Sequence, residues 1–289
     1  MQNTIAFPKN YISNLDEVYR LSSVTADLTS PASMSKAGTN ANEIVYPQIS
    51  VTGLGEYDRN SGYTTGAVDL KWKTVAFNYD RGTKITVDVM DNEESRNLAF
   101  GMAGATLMRE KVAPEADAFT FATIAALDNI SKTQGTIDNA TQFLDALLTA
   151  WTKMDEDEVP QEGRMLYATA TLLNSVMTLD TTKSREILAK FGVKKVVPQA
   201  RFYTVIDLLD GKSGGEEAGH YKKSDTGHDI NFLIIHKPAI IKFDKHVASN
   251  IILASSNPDA DADIIKYRKY GLVDAYANKR AGIYLHSKA

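Results

Sequence analysis

Val68-Asp69-Leu70-Lys71-Trp72-Lys73-Thr74-Val75-Ala76-Phe77-Asn78-Tyr79-Asp80-Arg81-Gly82 is the stretch from which the fold is read. Val68, Leu70 and Trp72 fall on one face and Asp69, Lys71 and Lys73 on the other, the two-residue period of a strand. The phase slips near Thr74, because Val75, Phe77 and Tyr79 now share a face, and this predicts a bulge or a change of strand. Asp80-Arg81-Gly82 is a turn signal, after which Ile85, Val87 and Val89 alternate again. Upstream, Ile44, Tyr46, Ile49 and Val51 border Pro47, and the polar segment Tyr57-Asp58-Arg59-Asn60-Ser61-Gly62 separates the two runs. Residues 43–90 thus read as a long hairpin-like excursion. A two-stranded ribbon of that length is marginal alone in water, so it must dock on something, a second copy of the chain being one candidate.

On either side the pattern changes. Residues 1–42 are rich in Ser, Thr, Asn and Ala, with balanced charge and no sustained period, and read as an extended arm with one short helix. After the ribbon, Asp91-Asn92-Glu93-Glu94 opens a helix whose acids suit the positive end of its dipole. Leu98, Met102, Ala105 and Val112 form its apolar stripe, continued beyond Pro114 by Ala118, Phe119, Ala122, Ala125 and Ala126. Because an interior proline costs about 3 kcal/mol, this is one long kinked helix or two consecutive ones. Residues 136–262 are mixed: a helix from Asn139 to Met154 ending at a solvated acidic run 155–158, a strand 164–169, a helix 172–177, strands in 193–206, and a strand 232–243 interrupted at Pro238. Ile264 to His286 reads as a hairpin around Ala277-Asn278-Lys279-Arg280, in the most basic part of the chain.

The 289 residues suffice for one large domain or two modest ones with a sizeable core. A 43% hydrophobic, 24% charged composition is that of a folded protein. A net charge of -4 provides no bulk field to draw nucleic acid or an anionic membrane. The absence of cysteine removes disulfides, thiolate nucleophiles and zinc-thiolate sites, and suits a reducing compartment. The N-terminus lacks the basic and apolar regions of a signal peptide, and the longest apolar stretch, 98–108, is too short to span a bilayer.

Catalytic motifs fail one by one. Gly211-Lys212-Ser213 spells the end of a phosphate-binding loop, but Ile206 stands where the first glycine is required. Gly211-Lys212-Ser213-Gly214-Gly215 spells a nucleophile elbow, followed by Asp225 and His228, and makes a serine hydrolase using Ser213 the distant alternative. The sequel Glu216-Glu217-Ala218-Gly219-His220 has no apolar stripe for a helix, so a loop is expected. Asp259, Asp261 and Asp263 lack the glycine and glutamate of a calcium loop. The five histidines form no metal-binding pair. No catalytic, cofactor-binding or metal-ligating candidate emerges.

The order of arm, hairpin, helix, insertion and terminal strands resembles the major capsid proteins of tailed bacteriophages with the Hong Kong 97-type fold. Ile44-Val45-Tyr46-Pro47-Gln48-Ile49-Ser50-Val51 through Thr74 to Gly82 looks like that family's extended loop. Asp88-Val89-Met90-Asp91-Asn92-Glu93-Glu94 looks like the entry to its spine helix. Val197-Pro198-Gln199-Ala200-Arg201-Phe202-Tyr203-Thr204 and Ile235-His236-Lys237-Pro238-Ala239 are similar to its axial domain. Lys266-Tyr267-Arg268-Lys269-Tyr270 and Gly282-Ile283-Tyr284-Leu285-His286 are similar to the returning strands of its peripheral domain.

The resemblance implies an α+β fold divided into an N-terminal arm (1–42), extended β-hairpin loop (43–80), peripheral domain with spine helix (81–135 and 263–289) and axial domain (136–262). It implies a non-enzymatic shell subunit forming pentamers and hexamers of an icosahedral head around double-stranded DNA. Its partners would be further copies of itself, portal, scaffold and head-completion or decoration proteins, with no membrane. It would assemble in the host bacterial cytoplasm and reside in the virion. The residues expected to contact neighbouring copies are Tyr57, Arg59, Tyr63, Val68, Leu70, Trp72, Phe77 and Arg81. The family's lysine-asparagine cross-link is not carried over, since Lys71 and Lys73 have no assignable partner. The same fold in an encapsulin-like nanocompartment, which packages protein, is the chief alternative.

Overall fold

A computed structural model of the chain describes residues 23–30, 36–37, 43–94, 98–179 and 181–289. In chain order the elements are β1 (Lys36–Ala37), β2 (Glu43–Val51), β3 (Val68–Ala76), β4 (Tyr79–Asp88), α1 (Val89–Glu94), α2 (Leu98–Thr106), a π-helical turn (Leu107–Val112) and α3 (Ala113–Ala126). There follow β5 (Ser131–Gln134), α4 (Ala140–Glu156), β6 (Arg164–Thr169), α5 (Ala170–Leu179), α6 (Thr182–Ala189), β7 (Val193–Val197), β8 (Ile206–Leu208), β9 (Tyr221–Lys223), β10 (Ile230–His236), β11 (Ile240–Ile252), β12 (Ala262–Ala275) and β13 (Ile283–Ser287). Residues 1–22, 31–35 and 38–42 of the expected arm lie outside the described residues.

The main body is a five-stranded sheet in the order β5-β13-β10-β6-β7. Its central strands β6 and β10 are largely apolar on both sides, as burial on both faces demands, whereas the edge strands β5 and β7 are mostly exposed. Phe232 and Ile234 of β10, with Leu166 and Ala168 of β6, pack on Phe143, Leu147 and Trp151 of α4. Leu233, Ile235, Met165 and Tyr167 point the other way, onto Phe121 and Ile124 of α3. α3 is apolar nearly all round, and that is why it can be enclosed. Helical structure is continuous from Leu98 to Ala126: the π turn just before Pro114 widens the helix where the proline cannot donate an N–H. The first helix begins at Val89, where the Asp88 carboxylate accepts from Met90 N at 2.9 Å. The N-terminal segment is fastened to this spine. Asp117, wholly buried on α3, accepts from Ser23 Oγ, Val24 N, Thr25 N and Thr25 Oγ1, and Leu28 enters the core.

A second sheet, β11-β12-β4, carries the ribbon β2–β3 at its end. Here several expectations are corrected. Asp80-Arg81-Gly82 is no turn but the interior of β4, and Gly82 is there because a Cβ would lie 2.8 Å from the Tyr267 carbonyl oxygen of β12. The corner is Phe77-Asn78 instead. The Asn78 side chain donates to Val273 O at 2.8 Å and accepts from Val273 N at 3.1 Å, substituting for a backbone pair. β12 and β13 do not form a hairpin: β12 pairs with β11 and β4, whereas β13 pairs with β10 and β5. The sheets also cut across the expected division of the chain, since β11 belongs with β12 and β4, and β13 with the five-stranded sheet.

Two charge readings change with packing. Asp155 is not merely solvated loop, because its Oδ1 accepts from the fully buried guanidinium of Arg164 at 2.6 Å. The basic C-terminal segment is largely neutralised within the chain, through Arg268 with Asp80, Lys269 with Asp244 and Lys288 with Asp229.

Candidate assembly surface

β2 and β3 pair in unbroken antiparallel register, from Glu43 opposite Ala76 to Val51 opposite Val68. No bulge interrupts β3 at Thr74. The shift in hydrophobic phase arises because different faces are covered along the ribbon. At its root, Ile44 and Val75 lie opposite each other and pack with Ile241 and Leu272 of the body. Further out this same face turns polar, with Gln48, Ser50, Asp69, Lys71 and Lys73.

The other face carries Glu43 and Thr74 near the root and is apolar in its outer half. Register places Pro47 opposite Trp72, Ile49 opposite Leu70 and Val51 opposite Val68, and every one of these side chains is exposed. Ile49 is 64% and Trp72 61% exposed. A contiguous apolar face left open to water on an otherwise ordinary protein marks an interaction surface. At the tip, Asp58 and Gly62 exchange backbone hydrogen bonds (3.2 and 2.8 Å), the Asp58 carboxylate accepts from Asn60 N and Ser61 N, and those bonds hold its pKa below the usual carboxylate range. The turn presents Tyr57 and Tyr63 with ring centroids 4.8 Å apart.

Of the eight residues expected to make assembly contacts, Val68, Leu70 and Trp72 share the open face, while Tyr57, Arg59 and Tyr63 sit exposed at the tip. Phe77 and Arg81 belong elsewhere. Phe77 stacks on Tyr270 at 4.8 Å within the same subunit. Arg81 donates through Nε to Glu115 Oε1 at 2.7 Å and through Nη2 to the carbonyls of Leu209 and His220. Burial alone would push Glu115 up, but His220 and Arg81 outweigh it and hold the carboxyl below its ordinary range. Pro47, Ile49 and Val51 are the surface residues that the sequence reading did not single out. Pairing β2 against β3 in the simplest register would have found them.

Ser213 does not stand on a strand-to-helix turn. It lies in the exposed loop between β8 and β9, donating to the Asp210 carboxylate, which also accepts from Lys212 N and Ser213 N. Nucleophile-elbow geometry is therefore lacking. Asp263 is engaged by Ala254 N at 2.8 Å. Among the described residues no group of three or more His, Asp or Glu side chains is placed to hold a metal ion, and no helix is long and apolar enough to cross a membrane.

No protein-family model and no curated protein matches the chain. Solved structures do. The capsid of cyanophage P-SCSP1u superposes with a TM-score of 0.60 at 12% identity, covering 91% of this chain and 87% of that one. The mature capsid of bacteriophage PhiM1 gives 0.59 at 12% identity, covering 88% and 84%. A virus-like particle from Pyrococcus furiosus gives 0.61 at 10% identity, covering 98% and 100%. At such identities the likeness speaks for fold, and it extends over most of the chain. The chain has the α+β, Hong Kong 97-type fold of tailed-phage major capsid proteins.

Proposed function

We propose that this chain is the major capsid subunit of a tailed phage, assembling with copies of itself into pentamers and hexamers of a closed shell that encloses double-stranded DNA. The observation that carries this reading is the ribbon: an apolar two-stranded face, held out from the body, that no described residue of its own subunit covers. A surface of that kind is stable in water only when another molecule seals it. Many modest copies of one contact, repeated over a closed lattice, give a strong shell through multiplicity. In this reading the ribbon is the extended loop, the sheet β11-β12-β4 with the spine helix the peripheral domain, and the five-stranded sheet with α4 to α6 the axial domain. Portal, scaffold and completion or decoration proteins are its further partners, and the host bacterial cytoplasm its place of assembly.

A second reading is a nanocompartment shell that packages protein, favoured by the full-length match to the virus-like particle. Light-scattering mass of the chain purified from an expressing cell, with nucleic-acid and protein cargo quantified, tests both. Megadalton particles rich in nucleic acid support the phage head, and the same particles with a stoichiometric protein guest support the compartment. A chain that stays monomeric in every buffer, crowded or saline, defeats both.

A further inference from the structure

Thr25 stands between two buried groups of opposite charge. Its hydroxyl donates to Asp117 Oδ1 at 2.7 Å and accepts from the Lys242 ammonium at 2.6 Å, and none of the three residues is more than 3% exposed. The ammonium and the carboxylate are thus each one hydrogen bond from the same oxygen, without being in ion-pair distance of each other. The neighbouring charges are matched: Asp117 Oδ2 accepts from Arg201 Nη1 at 3.1 Å, and Asp244 pairs with Lys269 at 3.0 Å. Among the described residues Lys242 has no carboxylate in ion-pair distance, and its ammonium donates to Thr25 O at 3.0 Å besides the hydroxyl.

The segment that carries Thr25 ties together elements of both sheets and the helix between them. On α3, Asp117 also accepts from Ser23 Oγ at 2.8 Å, Val24 N at 3.0 Å and Thr25 N at 3.1 Å. On β11, Ser30 N donates to Lys242 O at 2.8 Å and Ser30 Oγ to Ile240 O at 3.2 Å. On β7, Lys195 pairs with Asp27 at 2.7 Å, and Leu28 is enclosed in the core with Val197 and Ile240. Lifting this segment takes three donors from Asp117 Oδ1 and both acceptors from Lys242 at once. A carboxylate and an ammonium inside a protein are stable only when paired or hydrogen-bonded. With the spacer hydroxyl gone, the long lysine side chain can reach the vacated oxygen, and one direct ion pair satisfies both groups.

We propose that residues 23–30 are a releasable strap, and that Lys242 and Asp117 close on each other when it lifts, so that the subunit has a strapped and an unstrapped state. Each state satisfies the same two charges, which is what makes the arrangement bistable. Strapped, the segment cross-ties α3, β11 and β7. Unstrapped, the two sheets can shift relative to each other while each stays folded. The device needs no second molecule, so it stands or falls separately from the shell reading.

Amide hydrogen exchange of the full chain at one fixed pH, with the amides of β10 as internal reference, tests it. Thr25→Val should speed exchange at residues 24–30 about tenfold or more, and Thr25→Ser should restore the original rate. Lys242→Met removes the ion pair of the unstrapped state and, from the strapped state, an enclosed ammonium that has no carboxylate. Exchange at the same amides should therefore slow, roughly tenfold. A lysine that only holds Thr25 in place predicts the opposite sign, so unchanged or faster exchange in Lys242→Met overturns the proposal. Should that variant fail to fold, the crystal structure of the full chain carrying Ser23→Gly and Thr25→Gly decides. Lys242 Nζ in ion-pair distance of Asp117 supports the closure. An ammonium that stays apart from Asp117, or a segment that stays seated, contradicts it.

Discussion

Arg81 Nε donates to Glu115 Oε1 at 2.7 Å, and this contact fastens the start of β4, hence the root of the ribbon, to the spine helix. The same guanidinium holds both ends of the β8–β9 loop through the carbonyls of Leu209 and His220. Tyr79 OH reaches Glu115 Oε1 as well, at 3.1 Å, and His220 Nδ1 lies 3.5 Å from Oε2. The direction in which the ribbon leaves the body is thus set by one mostly buried carboxylate and the groups that surround it.

Arg81→Ala strands that carboxylate. Loss of one partner from a buried pair costs about 3 kcal/mol, toward the lower end here because the arginine is partly exposed. Glu115 titrates below its ordinary range, so its contribution is present at neutral pH and is lost as pH falls through the folded-state value. Denaturant melts of wild type and variant should therefore differ most near neutrality and converge in acid.

Lys242 behaves in the opposite sense. Its ammonium is entirely enclosed, donating to Thr25 O and Oγ1, and burial together with the neighbouring Lys269 brings its pKa down to about 8 despite Asp117 and Asp244. Between that value and the ordinary lysine range the unfolded chain binds more protons, so stability rises with pH. The rise attributable to this group is on the order of 3 kcal/mol. Lys242→Met should flatten the pH 8–10 limb of the stability profile measured by urea denaturation.

Trp72→Ala should weaken assembly far more than Lys71→Ala, since Trp72 stands on the open apolar face and Lys71 on the polar one. Neither change should move the stability of the isolated subunit by more than about 0.5 kcal/mol. Sedimentation of assembly reactions, beside thermal melts of unassembled subunits, separates the two effects. Equal losses of assembly would contradict the assignment of faces.

Val51 lies opposite Val68, so Thr52 to Ala67 can be replaced by Asn-Gly, a pair that closes a two-residue hairpin. The shortened chain should fold with an unchanged denaturation midpoint and close no shells. Normal particles from it would show that the tip is dispensable.

The strand and helix periods of the sequence were enough to place the ribbon, the spine helix, α4 and β6. What stayed illegible depends on partners distant in the chain. Gly82 reads locally as a turn and serves globally as the point where β4 approaches Tyr267. The phase change at Thr74 suggests a bulge, yet the strand is regular and only its covering changes, because Val75 packs with Leu272 while Trp72 is 61% exposed. Lys242 and Asp117, 125 positions apart, gave no local sign of the buried cluster in which Thr25 lies between them. The missed half of the candidate surface, Pro47, Ile49 and Val51, is visible only once register is known.

Electron cryomicroscopy of the purified chain tests the central claim most directly. The account predicts closed shells or rings in which the face formed by Ile49, Val51, Val68, Leu70 and Trp72 is covered by an adjacent copy. Particles in which that face remains open to solvent, or a chain that stays a 31.7 kDa monomer under all conditions, would contradict it.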